Sequence, residues 1–107
     1  MRLSYLSFLV IGAAIAASQV KAQESGDLQR GRALANRVCA ECHAVGIGDS
    51  RSPSVLAPRF EAVAATPGMT AAALNAFLHT SHRAMPNLEL TADQASGVIA
   101  YILSLKK

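Results

Sequence analysis

Apolar residues beyond the N-terminal stretch recur at helical spacing, and nowhere do they alternate as a strand requires. Gly31, Leu34, Ala35 and Val38 fall at i, i+3, i+4 and i+7, the stripe of an amphipathic helix. Asp27 ahead of them is a suitable N-cap, so the first helix is expected from Asp27 to about Val38. Residues 44–58 carry Gly, Ser and Pro at loop density. Phe60 to Ala65 has room for a short helix, and Pro67-Gly68 marks a turn. Thr70 then caps a third helix expected through about His82, with Leu74, Phe77 and Leu78 on one face. The last helix has the strongest signature. Thr91-Ala92-Asp93-Gln94 is a capping box, and Val98, Tyr101, Ile102 and Leu105 repeat the i, i+3, i+4, i+7 stripe. The pattern is all-α, without internal repeats or low-complexity segments.

The N-terminal stretch reads differently. Arg2 supplies a positive start, Leu3 to Ala17 is an apolar run of about 15 residues, and Val20-Lys21-Ala22 has the small-residue form of a cleavage site. Residues 1–22 are therefore expected to be a secretory signal peptide, because a comfortable membrane span needs about 20 apolar residues. An uncleaved anchor is the alternative. Cleavage leaves 23–107, 85 residues, which is one small domain. The net charge of the whole chain is +3, but without Arg2 and Lys21 it falls to +1. The basicity thus belongs largely to the leader and gives nucleic-acid binding no support. Of the 85 residues, 40 are apolar and 16 of those are alanine, leaving 24 larger side chains for a core. Domains this small usually need a staple, a metal or a cofactor in addition.

Candidate chemistry is concentrated at Cys39-Ala40-Glu41-Cys42-His43. The spacing C-x-x-C-H is the signature of covalent c-type haem attachment. Two thiols three residues apart can each reach one vinyl group of the same porphyrin, and the following imidazole can bind iron as proximal ligand. A bare C-x-x-C is shared by redox disulfides and half zinc sites. The adjacent His43 and the lack of any other cysteine favour haem. Covalent haem would also supply the core that the alanine-rich composition lacks. Export fits as well, since c-type haem is joined to its polypeptide outside the cytoplasm.

A second axial ligand has four candidates in 23–107: Met69, Met85, His79 and His82. Met85 precedes Pro86, which pushes it out of helical geometry into an extended segment that can be aimed at a metal. Met69 reads as a loop methionine covering an apolar cofactor edge. His82 reads as a helix-end residue and His79 as solvent-facing. Arg51 and Arg59 are either solvated loop residues or partners for haem propionates. Gly31, central in its apolar stripe, weakens a helix by about 1 kcal/mol relative to alanine. Its presence there points to a second helix backbone crossing close by, with Tyr101 across the gap.

Taken together, the chain resembles a class I c-type cytochrome of the small bacterial, monohaem kind. The resemblance is carried by Cys39-Ala40-Glu41-Cys42-His43, by Gly31 before it, by Met85-Pro86-Asn87-Leu88-Glu89-Leu90-Thr91, and by Val98-Ile99-Ala100-Tyr101-Ile102-Leu103-Ser104-Leu105. It implies a small cytochrome c fold, three to four helices wrapped around one haem c held through two thioethers, with the first and last helices crossing. It implies Cys39, Cys42, His43 and Met85 as the haem-binding residues, with His43 and Met85 on the iron. It also points to the Pro58 carbonyl as hydrogen-bond partner of His43, with Pro53 as the alternative. Two departures concern packing. Ala35 stands where mitochondrial relatives carry an aromatic residue, and no tryptophan is present for a propionate hydrogen bond. His43 and Met85 are only 42 residues apart, fewer than in those relatives. One haem edge is then expected to be exposed between the 44–58 loop and the Met85 loop, with Arg83 as the charge nearest to it.

The expected function is periplasmic one-electron transfer rather than enzymatic catalysis. Expected partners are redox proteins, a dehydrogenase or an oxidase, met transiently or within a complex. Nucleic-acid partners and stable membrane insertion after signal cleavage are not expected. The alternatives are a haem enzyme or ligand sensor with an open or His-ligated sixth position, and a cytochrome subunit of a dehydrogenase complex.

Overall fold

A computed structural model describes residues 27–82 and 84–107. The signal-peptide reading of 1–22 and the role expected for Arg83 lie outside the described residues. The chain enters in a helix, α1 (27–37), whose first turn carries an Asp27–Arg30 ion pair. A single 3-10 turn, Cys39–Glu41, follows directly. Then come α2 (Phe60–Ala65), α3 (Ala71–Leu78) and α4 (Ala92–Ser104). Among the described residues there is no strand, only an isolated bridge between His82 and Met85. The architecture is all-α, as the hydrophobic pattern predicts.

Local sequence accounts for most boundaries. The Thr70 hydroxyl accepts from the Ala73 amide at 3.1 Å and starts α3. Thr91 and Gln94 form the full reciprocal capping box at the start of α4, at 3.2 and 2.9 Å. The turn at Thr66–Met69 is closed by a 3.1 Å backbone bond around Gly68, whose φ of +76° suits glycine. One boundary differs from expectation, because α3 stops at Leu78 rather than running to His82. Two side chains turn back on the helix there. The Thr80 hydroxyl donates to the Ala76 carbonyl at 2.6 Å, and His79 Nδ1 donates to the Asn75 carbonyl at 2.8 Å. Side chains that satisfy the last helical carbonyls in this way compete with continuing the helix and suit its end.

The core gathers around α4, which packs on α2 and α3. Val98, Tyr101 and Ile102 are buried there with Phe60 of α2, Leu74 of α3 and Leu34 and Ala35 of α1. Helices α1 and α4 cross backbone to backbone. A Cβ on Gly31 would lie 1.8 Å from the Gly97 carbonyl oxygen, and one on Gly97 would lie 3.2 Å from Gly31 Cα. Gly31 thus has the packing role its position implies, but its partner is Gly97. Tyr101 is buried in the same cluster as Leu34 and Ala35. Its ring meets Phe60 at 6.4 Å and its hydroxyl donates to the Val45 carbonyl at 2.5 Å. Ala35 is fully buried in the same core, a small side chain where an aromatic one stands in mitochondrial relatives.

Candidate haem site

The 3-10 turn sets the geometry of the site. The amides of Cys42 and His43 both bond the Cys39 carbonyl, at 3.1 and 2.9 Å. This winding turns Cys39, Cys42 and His43 toward one apolar crevice. Both thiols are free, Cys39 half-buried and Cys42 exposed. Burial pushes the Cys39 thiol above its ordinary value, so it is held as a neutral thiol.

The imidazole of His43 is oriented by Pro58, as the family resemblance implies. His43 Nδ1 lies 2.6 Å from the Pro58 carbonyl oxygen. A carbonyl only accepts, so the proton is on Nδ1 and the Nε2 lone pair is left for a metal. The Phe60 ring, 5.3 Å from the imidazole, supports it from the core side. Pro58 precedes Arg59 at the N-cap of α2, and the Phe60 amide donates to the Ala44 carbonyl at 2.9 Å. The start of α2 and the segment after His43 are thereby tied together.

Residues 42–45 are fastened one after another. The Cys42 carbonyl accepts from the Ser54 amide at 3.0 Å, and the Ala44 amide donates to the Ser52 hydroxyl at 3.0 Å. The Val45 carbonyl accepts from Tyr101, whose phenol is pushed up chiefly by burial and so remains a donor at neutral pH. Ser52, Ser54 and Val45 carry no sequence signal for this duty. Tyr101 is legible only as an apolar-stripe residue.

The crevice has two lobes, of about 340 and 450 Å³. Cys39, His43, Pro58, His82 and Met85 line both. One lobe is completed by Val38, Cys42, Leu56 and Leu88, the other by α2, α3 and α4 through Val63, Leu74, Leu78 and Ile102. Cavities of this size and apolar lining are typical of cofactor sites. Met69 lines only the second lobe, in keeping with a cover for an apolar edge. His79 lines neither and is bonded to its own helix. Arg51 and Arg59 line neither lobe, and Arg59 instead bonds the Asp49 carbonyl at 3.2 Å and Glu61 at 3.5 Å. Pro53 also stands away from the crevice, which leaves the carbonyl role to Pro58.

Two thiols, an imidazole with a free Nε2 and an apolar cleft of this size fit a covalently attached haem. An all-helical domain that brings them together has the equipment of a c-type haem protein. The comparisons with known proteins agree. A family model described as cytochrome c oxidase, cbb3-type, subunit III matches residues 26–102. Cytochrome c-552 of Bradyrhizobium diazoefficiens (strain JCM 10833 / BCRC 13528 / IAM 13628 / NBRC 14792 / USDA 110) is 36% identical over 98 residues, 92% of this chain and 90% of that protein. No solved structure matches. The chain belongs to the family of small c-type cytochromes that this model describes. It is therefore an electron-transfer haem protein, and the family implies covalently bound haem c.

Proposed function

We propose that this chain is an exported, periplasmic one-electron carrier. It holds a single haem c through thioethers at Cys39 and Cys42, with His43 and Met85 as axial ligands. Residues 1–22 act as its signal peptide and 23–107 form the mature domain. The observation that carries this reading is the pair of lobes meeting at Cys39, His43, Pro58 and Met85.

The haem, when bound, supplies a one-electron couple at its iron. His43 donates through Nε2, and its Nδ1 bond to Pro58 holds the ring angle and increases its basicity. Met85 contributes a neutral, soft thioether that favours the ferrous state, so the reduction potential is high for a haem protein. The apolar walls from α2, α3 and α4 exclude water and disfavour the additional charge of the ferric state. A methionine in the sixth position blocks substrate access, which favours a carrier over an enzyme or ligand sensor.

Electrons leave at the lobe lined by the 44–58 loop and the Met85 segment. Leu56 and Phe77 at the mouths of the two lobes are 62% and 54% exposed. An apolar rim of this kind suits a small, transient contact with a redox partner. The oxidase-subunit description of the matching family model supports a variant in which the partner is a permanent neighbour in a complex. Purification of the native protein separates the two, as a free carrier elutes alone.

The ligand assignment is tested by absorption spectroscopy of the oxidised holoprotein. The parent should show the weak sulfur-to-iron charge-transfer band at the red end of the visible spectrum. Met85→Ala should lose that band and have a lower potential. A parent without the band, or a Met85→Ala variant that keeps it, would overturn the assignment.

A further inference from the structure

We infer that His82 is a second, alternative sixth ligand, brought to the iron by the same turn that carries Met85. The inference rests on the reading of His43 and Met85 given above. Of the residues lining both lobes, two besides Cys39 and His43 have side chains able to ligate iron, and they are His82 and Met85. They stand at the two ends of one tight turn, closed by a 3.2 Å bond from the Met85 amide to the His82 carbonyl.

The imidazole is prepared for the role. His82 Nδ1 lies 2.9 Å from the Thr80 carbonyl oxygen, so Nδ1 carries the proton and Nε2 has a free lone pair. This repeats the arrangement of His43 on Pro58. The ring also stands edge-on to Phe77 at 5.8 Å, which limits its rotation on the side of the second lobe. His79 has a similar Nδ1 bond but faces neither lobe.

The turn can also rearrange. Ala84 has φ +46°, a left-handed conformation that alanine disfavours. Relaxing it would move the two ends of the turn relative to the crevice. In the exchange the bond from the Met85 sulfur breaks and one from His82 Nε2 forms, with no electron gained or lost. Imidazole is a harder donor than thioether and favours ferric iron. His82 then keeps the sixth position closed whenever the thioether is absent, as when a peroxide transfers oxygen to the Met85 sulfur and is itself reduced.

The test compares oxidised holoprotein of the parent, His82→Ala, Met85→Ala and the double variant by electron paramagnetic resonance, visible absorption and cyanide titration. Met85→Leu, which conserves side-chain volume, stands in if Met85→Ala fails to fold. The parent and His82→Ala should give the same methionine-ligated spectrum. Met85→Ala should stay low-spin with nitrogen ligation, and the double variant should become high-spin. If His82 fills the position about 99% of the time, removing it raises apparent cyanide affinity about 100-fold. A high-spin Met85→Ala indistinguishable from the double variant overturns the His82 role alone. A double variant that remains low-spin also overturns it, because another group is then the substitute. A Met85→Ala spectrum identical to the parent overturns both this inference and the Met85 assignment beneath it.

Discussion

Placing a methyl group on Gly31 forces the crossing of α1 and α4 apart. The new Cβ would lie 1.8 Å from the Gly97 carbonyl oxygen and 2.8 Å from the Val98 amide nitrogen, both backbone atoms that cannot rotate away. Ordinary contact begins at 3.4 Å, so one helix must retreat by a large part of that difference. The retreat loosens Leu34 and Ala35, which are buried beside the crossing. Overpacking of this kind costs typically about 1–3 kcal/mol, and a rigid backbone obstacle belongs at the upper end. Alanine returns about 1 kcal/mol through its higher helix propensity. The net expectation for Gly31→Ala is a loss of about 2 kcal/mol, which lowers Tm by on the order of 10 °C in a domain this small. Gly97→Ala meets its nearest neighbours at 3.1 and 3.2 Å and should lose distinctly less. Thermal melts of the two holoproteins, followed by far-UV circular dichroism, give both values. The competing idea is that Gly31 merely weakens its helix. It predicts the opposite sign, so a Gly31→Ala protein more stable than the parent would refute the backbone crossing.

Other variants probe the attachment residues and the tie behind the site. Replacing Cys39 and Cys42 together by alanine should leave haem extractable by acid acetone and the chain largely unfolded by circular dichroism, whereas a well-folded, haem-free double variant would contradict the thin-core argument. Tyr101→Phe removes the donor to the Val45 carbonyl and should cost about 1–3 kcal/mol in denaturant unfolding, because a buried acceptor is left without a partner. The same phenol gives a pH signature. Its folded value is raised, chiefly by burial, so its contribution is fully present below the ordinary value of 10.0 and is lost as pH rises through the folded value. The parent should therefore lose stability faster than Tyr101→Phe above about pH 10.

Helix existence was legible because it rests on local rules. Thr70, and Thr91 with Gln94, cap their helices through bonds that span three residues, and the apolar stripes of α1 and α4 face the core as their spacing implies, except that Val38 at the end of the first is exposed. What failed was a close local competition, or was hidden in small residues. The end of α3 depends on Thr80 and His79 turning back on the helix, a choice that competes closely with continuing it. Gly97 looks like an ordinary helix weakener until α1 lies across it. Cys39, Cys42 and His43 stand out in the sequence because c-type haem attachment requires a fixed spacing, and the fold turns all three toward one crevice. The Pro58 carbonyl came only through family resemblance, since fifteen residues of loop separate it from His43.

The crevice also explains why so small a domain can hold its shape with so few large side chains. Its walls come from the 3-10 turn, the end of the 44–58 loop, α2, α3, the Met85 segment and α4, that is, from every helix of the described residues except α1. A planar apolar group tethered at Cys39 and Cys42 would touch all of these at once, which alanine side chains cannot do. Helix α1 is held by other means, through Gly31 and Gly97 and the buried pair Leu34 and Ala35. The residues between, 42–45, are tied by Ser54, Ser52, Phe60 and Tyr101 from three different parts of the chain. The same hydrogen bonds therefore carry two duties. They close the fold around the cleft, and they hold the backbone on either side of His43 so that the Pro58 carbonyl can fix its imidazole with Nε2 left free.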